Sequence, residues 1–346
     1  MKSNHQIRLC SFGEAWGREI HRIELFNSDG YSLEVLTLGA IWHAFSVNRP
    51  RERRLDVIVK PTVLEGYLDN PSGPDYCFGA AIGRYAGRIG GGGFDLGGRR
   101  FELPSENGVH LHGGPDGLGK KVWELVGSGG GDRPWILLRA QSPDGEGGYP
   151  GQIDAYCRYE LVGSCCVLTY YASTDRETVL NMTNHAYFNL SDHGDIRGQE
   201  LRLNSHLWLD VDERNLPTGS FTELSDSPLD FRPGRSLRTA IEYHGFLDNA
   251  FVLDWEPKRG RSAQLTDPQN GLLLTIHTNQ PAVVVFTPER LDHSGPLSSD
   301  VREYPAICFE TQNYPDAPNR RHFPSSLLRP GSTYFSRTYY DLRYRL

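Results

Sequence analysis

The sequence predicts an all-β chain, read as one continuous domain over residues 1–346. Three observations carry this. Short runs of β-branched and aromatic residues recur along the chain, of which Cys165-Cys166-Val167-Leu168-Thr169-Tyr170-Tyr171 is one example. The 38 Gly and 22 Pro are spread as turn punctuation instead of being gathered in a tail. Aromatic usage is high, with 17 Tyr and 15 Phe, while only Leu237 to Tyr243 reads as a short helix. Length alone suggests about two domains, but no repeat or low-complexity linker divides the chain, and β-sandwiches and barrels often run this long as one unit.

Taken in order, residues 1–12 read as an irregular lead-in and 1–18 as a peripheral segment. From Glu19, Ile20, Ile23 and Leu25 alternate up to Asn27-Ser28-Asp29-Gly30, after which Tyr31 to Leu36 alternate again, the signal of a hairpin with an Asp-Gly turn. Residues 49–55 form a basic patch that reads as a solvated loop. Phe94 to Leu103 reads as a second hairpin around Gly97-Gly98. The preceding Gly79 to Ile89 holds Arg84 and Arg88, but no helix pattern and no G-K-[ST] ending follow, which argues against a phosphate loop. Later strands are read at Leu207–Asp212, from Leu247 to Asp254, and as two buried runs at Leu272–His277 and Val283–Thr287.

Composition excludes several classes. A formal net charge of −7 and a pI near 6.0 disfavour nucleic acid or an anionic membrane surface as partner, since both select a basic footprint. None of the six cysteines stands in C-x-x-C spacing, the first twelve residues contain no signal-like apolar run, and no apolar stretch is long enough to span a bilayer. A reduced, cytoplasmic setting is expected.

Chemistry-bearing residues concentrate in three places. Asn181-Met182-Thr183-Asn184-His185-Ala186-Tyr187-Phe188-Asn189-Leu190 lies near the midpoint. If extended, it sends Asn184, Ala186 and Phe188 one way and His185, Tyr187 and Asn189 the other. The expectation is a histidine oriented by flanking amides, against the alternative of a core histidine in an aromatic layer. His110-Leu111-His112, followed by two glycines, puts both rings on one face if it is a strand. That suits either metal ligation or one catalytic histidine beside one structural one. Glu310 follows Ala306-Ile307-Cys308-Phe309, an apolar setting that should desolvate the carboxyl, raise its pKa and suit a general base.

Four motifs in order carry a resemblance: Gly-Arg-Tyr-Ala-Gly-Arg-Ile from Gly83, Leu-His-Gly-Gly from Leu111, Thr-Asn-His-Ala-Tyr-Phe-Asn-Leu from Thr183, and Phe-Glu-Thr-Gln-Asn-Tyr-Pro-Asp-Ala-Pro-Asn from Phe309. Together with Leu-Pro-Thr-Gly from Leu216 and Leu-Asp-Phe-Arg from Leu229, they resemble the aldose 1-epimerases, or galactose mutarotases, from about residue 20 to Gly331. The resemblance implies a large antiparallel β-sandwich of the galactose mutarotase-like supersandwich type, with an open sugar cleft. It implies His185 as general acid and Glu310 as general base on either side of the sugar. It further implies His112 near the ring oxygen, and Arg88 and Asp248 on hydroxyls. The implied reaction interconverts α and β anomers of a free monosaccharide through the open-chain aldehyde, with no cofactor or metal, in a monomer or homodimer.

The chain departs from the family pattern at Gly87, Val109, Asn249, Val284 and Thr287-Pro288-Glu289. Gly87 is read as opening space and Val284 as removing a polar group from the pocket wall, which points away from a site tuned to galactose. Two other readings compete. A sugar-binding or regulatory protein on this fold would typically have lost the acid or base, and both stand here. A metal-dependent sugar isomerase would use His110, His112, His185 and Glu310 as ligands. The resemblance places His185 and Glu310 too far apart for that.

Overall fold

The structure is a computed structural model that describes residues 6–48, 54–68, 75–191, 194–255, 260–293, 295–298 and 303–344. Three large sheets organise these residues, and every named strand pairing is antiparallel. A nine-stranded sheet is centred on Ile153–Val162, Cys165–Thr174 and Tyr334–Tyr344. A five-stranded sheet runs from Ile7–Ala15 to Leu55–Asp56. A seven-stranded sheet has the order Pro217–Glu223, Leu207–Val211, Asp248–Val252, Ala282–Phe286, Ile307–Gln312, Tyr187–Phe188, Ile58–Val59.

The main core gathers side chains from all three sheets. Trp42, fully buried, meets Tyr340 at 4.9 Å, Phe188 at 5.6 Å and Tyr159 at 6.0 Å between ring centroids, so one indole ties the three sheets together. Its edge-on contacts are the arrangement that aromatic quadrupoles prefer, on top of the large apolar area buried.

The expected elements are largely present. Arg18–Phe26 and Tyr31–Leu36 pair across the Asp29-Gly30 turn, where the Asn27 side chain accepts from the backbone N–H groups of Asp29 and Tyr31. Gly93–Leu96 and Arg99–Glu102 pair around Gly97 and Gly98, whose φ values of +59° and +77° fit the left-handed turn that glycine adopts without strain. The predicted helix runs Leu237–His244, capped by the Ser236 hydroxyl accepting from the Arg238 N–H.

Some expectations fail. Residues 1–12 are not an irregular lead-in where described: Ile7–Ala15 is an edge strand, its alternation masked by exposure on both faces. One further turn of helix, Glu65–Leu68, has too few residues to show periodicity. Leu272–Thr278 is buried on alternate residues only, so it is a half-buried strand. Residues 49–53 of the basic patch lie outside the described residues.

Arg84 and Arg88, four apart in one segment, part ways. Arg84 is 3 % exposed. Its guanidinium donates to the Ser142 hydroxyl and to the carbonyls of Ser142, Pro143, Pro150 and Gly151. Burial lowers its pKa to about 10, so it is still charged at neutral pH, with backbone oxygens as its direct partners. It is a structural clamp between the glycine-rich segment and the loop after Ser142. Replacing it with Met would leave several buried acceptors unpaired, and we expect Arg84→Met to cost about 3 kcal/mol or more in urea unfolding. A loss under about 1 kcal/mol would mean that water or a neighbour satisfies those carbonyls.

Candidate active site

The seven-stranded sheet builds the floor of a cavity of about 250 Å³. Alternation along Ile307–Gln312 sends Ile307 and Phe309 into the core and Glu310 into the cavity. Glu310 is 3 % exposed, and one of its carboxylate oxygens has no hydrogen-bond partner. Burial, with the Asp248 charge nearby, raises its pKa to about 8, while Arg88 acts in the opposite sense. The desolvation expected from its apolar run is thus present, with a distinct physical cause.

His185 arrives on the central stretch, which is two short strands and not one. Thr183–Asn184 pairs with Ala81–Ile82, and Tyr187–Phe188 pairs with Ile307–Cys308 on one side and Ile58–Val59 on the other. The expected alternation survives the break: His185 and Tyr187 face the cavity, and Phe188 faces the core. The amides do not orient the ring, contrary to expectation. Asn181 and Asn184 are spent on neighbouring backbone, and Asn189 donates to the Pro305 carbonyl. The imidazole is held by stacking on Tyr187, 5.0 Å away and 24° from parallel, and by edge contacts with Phe286 and His112. Burial lowers its pKa to about 4.

His185 Nε2 lies 3.6 Å from Glu310 Oε1. The expectation that the two flank the sugar, too far apart to share a ligand, is therefore wrong.

His110 and His112 have separate roles. Strand geometry ends at Leu111, and His112 takes a left-handed φ of +54°, so the two rings do not share a face. His110 is buried away from the cavity. Its Nδ1 donates to the Pro104 carbonyl, and its Nε2 accepts from the Tyr149 hydroxyl. His112 lines the cavity, and its Nδ1 accepts from the Gly87 backbone N–H at 3.1 Å. Burial and the neighbouring His185 push its pKa well below the usual histidine range. A neutral ring whose Nδ1 accepts must carry its proton on Nε2, so His112 is fixed as a hydrogen-bond donor.

Gly87 has a φ of +78°, and a Cβ there would meet the Gln312 amide nitrogen and Pro315 Cγ at 3.1 Å, so it does not open space as expected. Val109 does not line the cavity; it pairs with Glu106 at a turn.

Arg88 and Asp248 line the cavity as an ion pair, 3.1 Å apart and each about one-fifth exposed at the side chain. Asp75, Tyr76 and Asn215 line it as well, and the motifs did not single them out. Asn215 precedes the Leu-Pro-Thr-Gly turn, which gave a faint pointer; Asp75 and Tyr76 follow a Pro-Ser-Gly-Pro run that carries no chemical signature. A second cavity of about 350 Å³ shares Asp75, Tyr76, Leu111 and His112 with the first, but Glu310 and His185 do not line it.

Donor atoms of His112, His185 and Glu310 all lie within 4.8 Å of one another, a spacing that a divalent cation could bridge. The tautomer of His112 argues against the fit. Its Nδ1 lone pair is occupied by Gly87 and its Nε2 bears the proton, so it offers no lone pair unless two N–H groups are turned to face each other.

Comparison with known proteins follows this geometry. The sequence model for aldose 1-epimerase matches residues 21–341. The chain is 33 % identical to mouse galactose mutarotase, covering 95 % of this chain and 96 % of that one. It is 30 % identical to the aldose 1-epimerase of Haemophilus influenzae over 97 % of this chain and all of that one. The crystal structure of galactose 1-epimerase from Lactobacillus acidophilus superposes with a TM-score of 0.86 at 25 % identity, covering 98 % of this chain and 99 % of that one. The antiparallel fold, the buried Glu310–His185 corner and the extent of this similarity lead to one conclusion: the chain belongs to the aldose 1-epimerase family.

Proposed function

We propose that the protein is a mutarotase that interconverts the α and β anomers of a free aldose, an isomerase acting on carbohydrate without a cofactor. The observation that carries this reading is the buried pair Glu310 and His185, 3.6 Å apart at the floor of the cavity. Glu310 takes the proton from the anomeric hydroxyl, and His185 gives one to the ring oxygen. The bond between the anomeric carbon and the ring oxygen breaks, and the electron pair released from the hydroxyl forms the aldehyde. Rotation about the bond to the next carbon turns the other carbonyl face toward the ring oxygen. Reclosure returns both protons and yields the other anomer. His112, with its proton on Nε2, donates a hydrogen bond to the sugar near the ring oxygen, and Arg88 and Asp248 bind hydroxyls. The six cysteines are all free thiols, which suits a reducing, cytoplasmic setting.

The proton inventory gives the pH dependence. With Glu310 raised to about 8 and His185 lowered to about 4, the pair holds one proton between these values, on Glu310 while the cavity is empty. The form with the proton on His185 is a tautomer of the same state, and sugar hydroxyls that solvate the carboxylate favour it. Below about 4 both groups are protonated and no base remains; above about 8 neither holds a proton and no acid remains. We expect kcat/KM against pH to form a bell whose limbs fall near 4 and 8 and belong to the pair. A profile still rising above pH 9 would contradict the assignment.

Glu310→Gln keeps the shape and removes the proton acceptor. Polarimetry on freshly dissolved α-glucose or α-galactose should register a loss of about 10²–10⁴-fold, with unfolding unchanged or slightly improved because the burial penalty is relieved. A near-normal rate would assign the base elsewhere. Because each step is a proton transfer, exhaustive chelation should leave the rate intact. A loss restored by zinc would favour the metal-dependent isomerase.

A further inference from the structure

The register of the seven-stranded sheet sets the chemical character of the cavity floor. Glu310 pairs across to Val284, and Val284 to Ala250. Leu209, from the next strand, clusters with Ala250 and Val284. All four side chains line the cavity, so one row runs from the carboxyl through three aliphatic groups on three successive strands. The adjacent row returns to polarity at its far end: Cys308 pairs with Phe286, and Phe286 with Asp248. The polar groups other than the acid–base pair (Arg88, Asp248, His112, Asp75 and Asn215) therefore stand around this aliphatic row and not within it.

A pyranose with its anomeric carbon at Glu310 and His185 would lie over this row if its ring extends along the sheet floor of the cavity. Val284 and Ala250 are 7 % and 5 % exposed, and Leu209, clustered with them, is fully buried, so a hydroxyl directed at this row meets an aliphatic wall with no donor or acceptor side chain. A hydrogen, methylene or methyl at that place loses nothing polar and gains apolar contact. Resting on the mutarotase reading above, we propose that Val284 and Ala250, packed with Leu209, are specificity determinants that select a deoxyaldose: a sugar with hydrogen or methyl where the parent hexose directs a hydroxyl at the floor.

The test measures kcat/KM by polarimetry for two matched pairs, galactose with 6-deoxygalactose and glucose with 2-deoxyglucose, in the native protein and in Val284→Thr and Val284→Gln. Threonine keeps the branched shape and supplies a hydroxyl, so Val284→Thr guards against misfolding of the glutamine variant. Deoxyaldoses also differ from their parents in intrinsic ring-opening rate, so the readout is the change in the deoxy-to-parent ratio between native and variant, in which that difference cancels. In at least one pair Val284→Thr is expected to lower the deoxy-to-parent ratio by about tenfold relative to the native protein. Ratios that neither substitution lowers in either pair would overturn the proposal. No turnover of any of the four sugars would overturn the mutarotase reading itself, and this proposal with it.

Discussion

Glu310 stands on a central strand of a sheet, almost fully buried and with one carboxylate oxygen unpartnered, and this desolvation is the constraint on which the site depends. An isolated carboxylate there would be costly, so the group resists ionisation until something polar arrives. In the proposed mechanism the free sugar is such a thing: its hydroxyls would supply the hydrogen bonds that the protein withholds, and Glu310 and His185 would then work in surroundings of low polarity, where each charge shift counts for more than in water. His185 responds to the same burial with the opposite sign, which lets a single proton serve both groups.

The neighbouring groups hold this corner in place without neutralising it. Tyr187 and Phe286 pack on the His185 ring as aromatic walls, and the Arg88–Asp248 ion pair lines the same cavity, partly exposed. Gly87 acts through its backbone alone: a positive φ carries its N–H to His112 and fixes which nitrogen of that ring bears the proton. Position 87 thus matters through conformation, which a comparison of side chains did not reveal.

Much of this was legible in the sequence, and what was missed has physical reasons. The Asp29-Gly30 and Gly97-Gly98 hairpins, the strand bearing Glu310 and the sides taken by His185 and Phe188 followed from local pattern, because turn chemistry and period-two alternation are local properties. The separation of His185 from Glu310 was not local. It depends on Tyr187–Phe188 pairing beside Ile307–Gln312, a contact across more than a hundred residues. Of the two readings left open for His110 and His112, joint ligation from one face falls, because the strand ends at Leu111 and His112 itself takes a positive φ. Ile7–Ala15 escaped notice because an edge strand exposed on both sides leaves no hydrophobic imprint. Asp75 and Tyr76 reach the cavity by tertiary placement alone.

The arrangement of the floor also bears on how such a protein changes over evolutionary time. On the proposed reading, proton chemistry and sugar recognition stand on adjacent strands of one sheet, joined by a backbone ladder that does not depend on side-chain identity. A single substitution at Val284 or Ala250 would then alter which substituent is welcome without touching Glu310 or His185. Selection can therefore explore new sugars one strand at a time while the reaction is inherited unchanged, so that divergence in diet need not await the reinvention of catalysis.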